Sequence, residues 1–246
     1  MDQSCRNCGN AVNTAFCGVC GQAAYRQVTF RRLFRESLLR AFDLEDGFLH
    51  TLTSLSLRPG RVIRDYVQGR RKPFTNPVSY CFLVVTIYAL TINILDVEIS
   101  IPGVLEFSDI ERRVYHILHG LLAYLVFFIL WPVAAIQAWL FRESGLRIAE
   151  TYAFSLFVFG HVNLVSAVFA AAGWLAGVPG IATLMAIQFV YLVWAMSGFY
   201  DLSRPPVLRG LAVSAANFII ANTLSLLIGN LIVAAGWLEP VENLLA

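Results

Sequence analysis

The chain reads VSYCFLVVTIYALTINIL over residues 78–95, and this run decides the class of fold. It contains no Asp, Glu, Lys or Arg. As a helix it is long enough to cross a hydrocarbon layer of about 30 Å. The whole composition agrees, because 58% of the residues are hydrophobic and only 14% are charged, whereas soluble domains average about 45–50% and about 25%. We therefore expect a membrane protein.

Four further apolar stretches come after this run, and none of the five contains a charged side chain. The predicted spans are residues 78–95, 117–141, 151–176, 181–200 and 211–237. Each is long enough for a transmembrane helix. The sequence therefore predicts a mainly α fold, in which residues 77–246 form a five-helix transmembrane bundle.

Basic residues are distributed unevenly around these spans. The region before the first span, the loop after the second and the loop after the fourth hold sixteen of the eighteen Lys and Arg residues. Such loops favour the cytosolic side of a membrane. The first 21 residues also lack the basic start and apolar run of a secretory signal. We expect a cytosolic N-terminus and a C-terminus on the opposite side.

Residues 26–76 form a basic connector that precedes the first span. Apolar residues recur in it at helical spacing, and we expect helices over about 29–42, 44–56 and 60–67. Its net charge is +6, from eleven basic and five acidic residues. Such helices commonly lie among anionic headgroups, but they can equally pack against the bundle. Nucleic-acid binding is less favoured, because the basic cluster adjoins a membrane span.

The end of this connector carries a dense group of cations. Three arginines recur at intervals of three and so share one side of a helix, and three further cations lie just before the first span. The six residues are Arg58, Arg61, Arg64, Arg70, Arg71 and Lys72. Guanidinium groups bind phosphate oxygens well. We expect them to bind anionic lipid phosphate, and the alternative is a charge cluster that only fixes topology.

Four cysteines precede the connector, in two Cys-x-x-Cys-Gly motifs separated by eight residues. This spacing allows Cys5, Cys8, Cys17 and Cys20 to surround one ion as a closed, structural Zn²⁺ site. Phe16 is expected to pack in the small core of this zinc ribbon, residues 1–25. Disulfides are disfavoured in the cytosol, and iron–sulfur ligation stays open as a lesser alternative.

Few polar groups remain inside the spans. His161 and Asn163 are expected near mid-depth of the third span, and with Asn222 they form a candidate intramembrane site. The alternative is that these side chains only join helices by hydrogen bonds. His116 and His119, at the outer end of the second span, form a candidate metal site, although interfacial histidines without a ligand are more common.

Many residues of the first half resemble the bacterial family catalogued as domain of unknown function 3667. The matching residues are Cys5, Cys8, Gly9, Phe16, Cys17, Cys20, Gly21, Gln22, Asp46, Gly47, Phe48, Thr51, Arg58, Pro59, Gly60, Ile63, Arg64, Asp65, Tyr66, Gly69, Arg70, Arg71, Lys72, Pro73, Phe74 and Pro77. The family usually has Lys where this chain has Arg70. The resemblance implies a zinc ribbon on several spans and a place in the bacterial inner membrane, but no known activity. In that membrane the charge pattern predicts a periplasmic or extracellular C-terminus.

Two classes of function are compatible with these patterns. We expect a membrane-embedded adaptor or scaffold, whose zinc ribbon and connector contact anionic phospholipid and a cytosolic protein partner or a second copy of the chain. The alternative is a small-molecule or lipid transporter with the ribbon as a regulatory element. No phosphate loop, nucleophile elbow or His-Glu-x-x-His motif indicates an enzyme.

Overall fold

The computed structural model describes residues 3–24, 27–39, 47–95, 109–176, 181–200 and residue 215. A two-stranded antiparallel sheet comes first, and the remainder of the described chain is mostly helical. The elements are β1 (Gln3–Ser4), β2 (Ala11–Val12), α1 (Phe30–Leu39), α2 (Phe48–Leu57), α3 (Pro59–Val67), α4 (Pro77–Leu95), α5 (Asp109–Leu140), a 3-10 turn (Arg142–Ser144), α6 (Ile148–Ala176) and α7 (Ile181–Tyr200). The mainly α prediction is confirmed.

Two of the described helices, α4 and α6, are long and apolar enough to cross a membrane by length and composition. They carry the predicted spans 78–95 and 151–176. The predicted spans 117–141 and 181–200 fall on α5 and α7, whose apolar segments in the described part of the chain are shorter. The fifth predicted span, 211–237, lies outside the described residues apart from residue 215. The complete five-helix bundle therefore stays a prediction.

Helix α6 packs against α4, α5 and α7 and is central among the described helices. Its Gly160 lies against the backbone of α4, and a Cβ atom there would be 3.1 Å from Cys81 Cα. Aromatic residues of α6, including Phe154 and Phe157, are fully buried. Gly160 lets α4 and α6 approach closely, and the buried aromatic rings fill the space around this contact.

The connector helices pack directly against the long helices. Six of the nine residues of α3 are buried, and its Gly60 meets the last turns of α7, where a Cβ atom would approach Phe199 N to 2.5 Å. Phe30 and Phe34 of α1 pack on Tyr152 of α6, with ring centroids 5.3 and 6.3 Å away. Of the two alternatives for the connector, packing against the bundle is therefore observed.

The long helices begin at different levels. Twelve residues of α6 precede Gly160, whereas only four residues of α4 precede its neighbour Cys81. At about 1.5 Å per residue, α6 extends roughly 12 Å further at this end. The connector contacts the overhanging part of α6, through pairs such as Tyr66 with Phe157. The connector thus fills the space at the base of α4.

Candidate metal centre and its attachment to the helices

Both cysteine motifs fold into the same tight turn. The Gly9 N–H donates to the carbonyl oxygen of Cys5 (2.9 Å), and the Gly21 N–H donates to that of Cys17 (2.8 Å). Gly9 and Gly21 both have positive φ, 77° and 69°, a backbone conformation that glycine adopts without strain. The glycines after each motif therefore let the chain turn back under its two cysteines.

These turns bring four thiols to one point. All four Sγ atoms, of Cys5, Cys8, Cys17 and Cys20, lie within 4.8 Å of one another. The Sγ atoms of Cys5 and Cys20 are 3.6 Å apart, and those of Cys8 and Cys17 are 3.5 Å apart. Both distances exceed a disulfide bond of about 2.05 Å, and all the cysteines are free. Thiolates about 2.3 Å from a tetrahedral ion stand about 3.8 Å apart, so this cluster could hold a metal ion.

Polar neighbours favour thiolate at two of these positions. The side-chain and backbone N–H groups of Asn10 lower the pKa of Cys8 to about 6, and the Gln22 N–H lowers the pKa of Cys20. For Cys5, the Cys8 N–H lowers the pKa, but burial and hydrogen bonds with neighbouring thiols raise it to about 11. Thiolate is the metal-binding form, so the donors around Cys8 and Cys20 suit the site to a cation.

The cysteine module, residues 3–24, has very little apolar core. Its buried cluster consists of Cys5, Val12 and Cys17. Phe16 does not join this cluster, because 56% of its surface is exposed, and Val19 is 71% exposed. The expectation that Phe16 packs inside was therefore wrong. Two cysteine turns leave no interior large enough for an aromatic ring, so Phe16 and Val19 form an exposed apolar pair.

One side chain fastens this module to the connector. The buried amide of Gln22 donates from Nε2 to the carbonyl oxygen of Gly69 (2.7 Å). Its Oε1 accepts from the backbone N–H groups of Arg71 (3.0 Å) and Lys72 (3.1 Å). The turn after α3 therefore offers one carbonyl oxygen and two N–H groups, which together satisfy both the NH2 group and the oxygen of the Gln22 side-chain amide.

The six predicted phosphate-binding cations differ in their surroundings. Arg70 forms an ion pair with Asp65 (3.7 Å), and Arg71 Nε donates to the carbonyl oxygen of Tyr66 (3.2 Å). Arg64 is half-buried, whereas Arg58, Arg61 and Lys72 are exposed. The structure thus separates cations that stabilise the turn after α3 from those that face outward.

His161 lies beside the first turn of α4, and its expected mid-depth position in the membrane stays a prediction. Its Nδ1 lies 2.8 Å from the hydroxyl of Tyr80, in the first turn of α4, and its Nε2 lies 3.2 Å from Ser56 Oγ in α2. Its ring also stacks on Tyr191 of α7, with centroids 5.1 Å apart.

Of the other polar candidates, the structure describes only the side chain of Asn163. Asn163 is buried and its Nδ2 donates to the carbonyl oxygen of Phe159 in its own helix (2.8 Å). Asn222 lies outside the described residues, and so do the side chains of His116 and His119, although both histidines belong to α5. His161 thus forms hydrogen bonds between helices, and Asn163 forms one within its own helix.

The segment that makes these contacts also matches a known protein family. A family model described as "Protein of unknown function (DUF3667)" matches residues 45–89. This range covers α2, α3, the turn held by Gln22 and the first part of α4. No curated protein and no solved structure matches the chain. The match supports the resemblance over this segment, and the cysteine module lies outside it.

Proposed function

We propose that this chain is a membrane-embedded adaptor that presents a zinc-bound module to a protein partner at the cytosolic face of the bacterial inner membrane. The observation that carries the proposal is the Gln22 contact, which fixes the module to the connector while Phe16 and Val19 stay exposed. A rigidly held apolar pair on a polar head is typical of an interaction surface.

Zinc is the metal that fits the four thiols best. Its structural sites use four thiolates in a closed tetrahedral shell, whereas Mg²⁺ and Ca²⁺ require oxygen ligands. Two cysteine pairs on tight glycine turns are typical of zinc ribbons rather than of iron–sulfur proteins. Bound zinc would hold the module folded through Cys5, Cys8, Cys17 and Cys20, and we assign it no catalytic role.

The membrane placement rests on α4 and α6 and on the charge pattern. Both helices are long and apolar enough to cross a bilayer, and sequence alone adds three further spans. Arg147 precedes α6 and donates to Gln27 of the connector (2.7 Å). Cations therefore collect at the end of the bundle that carries the module, which supports a cytosolic position for that end.

A transporter has less support from the described residues. A transport site needs polar groups that are free to contact a solute, but His161 and Asn163 use their polar atoms in contacts with Tyr80, Ser56 and Phe159. Their arrangement serves to join helices. We therefore favour the adaptor.

Co-purification from mild detergent tests the adaptor directly. The variant Phe16→Ser, Val19→Ser removes the exposed apolar pair, and Leu49→Ser removes an equally exposed residue (71%) from α2 as a control. We expect a stoichiometric partner to be lost only from the double variant, with zinc content unchanged. Identical partner sets for the wild type and both variants would contradict the adaptor.

A further inference from the structure

Two exposed cations lie at the start of α3, Arg58 just before the helix and Arg61 within it, and neither side chain takes part in the contacts above. We propose that Arg58 and Arg61 form a binding site for the phosphate of an anionic phospholipid headgroup. The site rests on the membrane placement proposed above and adds a ligand class to it. It needs no protein partner, so it can be tested separately from the adaptor.

The position of this pair is fixed by backbone packing. Gly60 lies between the two arginines and contacts α7, where a Cβ atom on Gly198 would be 3.1 Å from Gly60 Cα and 3.4 Å from Arg61 N. Pro59 and Gly60 are buried, whereas both arginines are exposed. The backbone that carries both arginines is therefore already ordered, so binding has to order only their side chains.

Neither guanidinium has a charged or hydrogen-bonding partner among the residues that the structure describes. Arg58 lies between α2 and α3, and its side chain makes no capping hydrogen bond. Arg70, in contrast, is paired with Asp65, and Arg147 with Gln27. Arginine binds phosphate oxygens through two parallel N–H donors, and both members of the Arg58 and Arg61 pair keep these donors available.

The surroundings of the pair suit a membrane interface. Gly60 contacts Gly198 and Phe199, at the very end of α7, so the arginines lie at the edge of an apolar helix. Leu57 (70% exposed) and Trp194 (46% exposed) lie next to this contact along α2 and α7. Exposed Trp and Leu beside cations are typical of the boundary between acyl chains and headgroups. This combination selects a lipid phosphate over a soluble anion.

Native mass spectrometry of the full-length protein in detergent can measure the bound lipid. The probe is phosphatidylglycerol, with phosphatidylcholine as the zwitterionic comparison and inorganic phosphate as a competitor. The test variant is Arg58→Gln, Arg61→Gln. The control variant, Arg70→Gln, Lys72→Gln, removes the same charge from exposed positions on the turn after α3.

A guanidinium that hydrogen-bonds to a phosphate contributes about fivefold to the affinity, so two contribute roughly 25-fold. We therefore expect phosphatidylglycerol to bind the test variant roughly 25-fold more weakly than the wild type, with little change for the control variant or for phosphatidylcholine. Equal losses in both variants, or no loss in the test variant, would overturn the site. Displacement of the lipid by millimolar inorganic phosphate would also overturn it, in favour of a soluble anion.

Carbonate extraction of the wild type from membranes separates this proposal from the membrane placement. If the protein is released by carbonate, the placement itself is wrong and the lipid site fails with it. If the protein resists extraction and the test variant still binds phosphatidylglycerol normally, the Arg58 and Arg61 site alone is wrong.

Discussion

The cysteine module and the helical body are built on opposite principles. The buried cluster of the module contains only Cys5, Val12 and Cys17, whereas the body buries large side chains such as Tyr80, Phe154 and Phe157 completely. So little apolar surface cannot offset the conformational entropy of some twenty residues. We therefore expect the module to need a bound metal to fold, whereas buried side chains stabilise the body.

The same contrast appears in how each part is attached to the connector. Helix α3 meets α7 through backbone contact between Gly60 and Gly198, with no space for a side chain. The module meets the turn after α3 through the amide of Gln22. Packed contacts resist any change of volume, whereas a hydrogen-bonded contact can be lost while both parts stay folded.

The largest effect is expected from Cys17→Ser, which removes one ligand of the candidate metal site. Metal binding in comparable zinc modules supplies about 10–16 kcal/mol, so the module should lose its zinc and unfold. Elemental analysis and hydrogen exchange of residues 3–24 measure this loss, and the helical body should keep its protection. Full zinc occupancy in the variant would contradict the four-thiolate site.

Gly60→Ala tests the packed side of the comparison. The new methyl group would meet Ala195 O, Phe199 N and the carbonyl carbon of Gly198, and overpacking of this kind costs about 3 kcal/mol. The midpoint of thermal unfolding in detergent should fall. Gly18→Ala is the matched control, because no atom lies within 4 Å of a Cβ at that position. Equal midpoints for the two variants would show that α3 and α7 are not in such close contact.

Gln22→Ala tests the hydrogen-bonded attachment. Removal of this amide leaves Gly69 O and the N–H groups of Arg71 and Lys72 without their partner, at a cost of about 2 kcal/mol. The module should keep its zinc but move relative to the helices, as limited proteolysis between residues 24 and 30 would detect. Gln68→Ala, at an exposed glutamine, should leave the cleavage rate unchanged. Cleavage of both variants at the wild-type rate would contradict the attachment.

The smallest effect is expected from His161→Phe. The aromatic ring is kept, but the contacts with Tyr80 and Ser56 are lost, which should cost about 1 kcal/mol. Hydrogen exchange should become faster in α2, which loses its link to α6. Asn163→Leu should leave α2 unaffected, because Asn163 bonds within its own helix. A similar change in α2 for both variants would argue against His161 as the link.

Local patterns were sufficient to predict much of this structure. Helical periodicity and composition placed α4 within one residue, at 78–95 against Pro77–Leu95, and α3 within one residue, at 60–67 against Pro59–Val67. The Cys-x-x-Cys-Gly spacing predicted that four thiols converge. Each of these predictions depends on neighbours in sequence, because turn geometry and helix period are local properties.

Contacts between distant segments could not be predicted in the same way. The Gln22 and Gly69 contact joins residues 47 positions apart, and the His161 and Ser56 contact joins residues 105 apart. Periodicity identifies the buried side of a helix but not the element that covers it. The contacts of His161 with Ser56 and Tyr80 were therefore not predicted, since they depend on how the connector covers α6. Gln22 directly follows the second cysteine motif, which could have marked it as a residue of interest. The sequence did not indicate that it hydrogen-bonds to Gly69, Arg71 and Lys72.

The central claim is that a metal-dependent module is held on an independent helical body. Hydrogen exchange of the wild-type protein tests this claim most directly when it is measured before and after a chelator removes the metal. The metal-bound protein should protect residues 3–24 and the amides of Arg71 and Lys72, which donate to Gln22. After chelation we expect these amides and the module to exchange rapidly, while Phe154 to Phe157 stay protected. Unchanged protection of the Arg71 and Lys72 amides in the metal-free protein would contradict the claim that the module depends on metal.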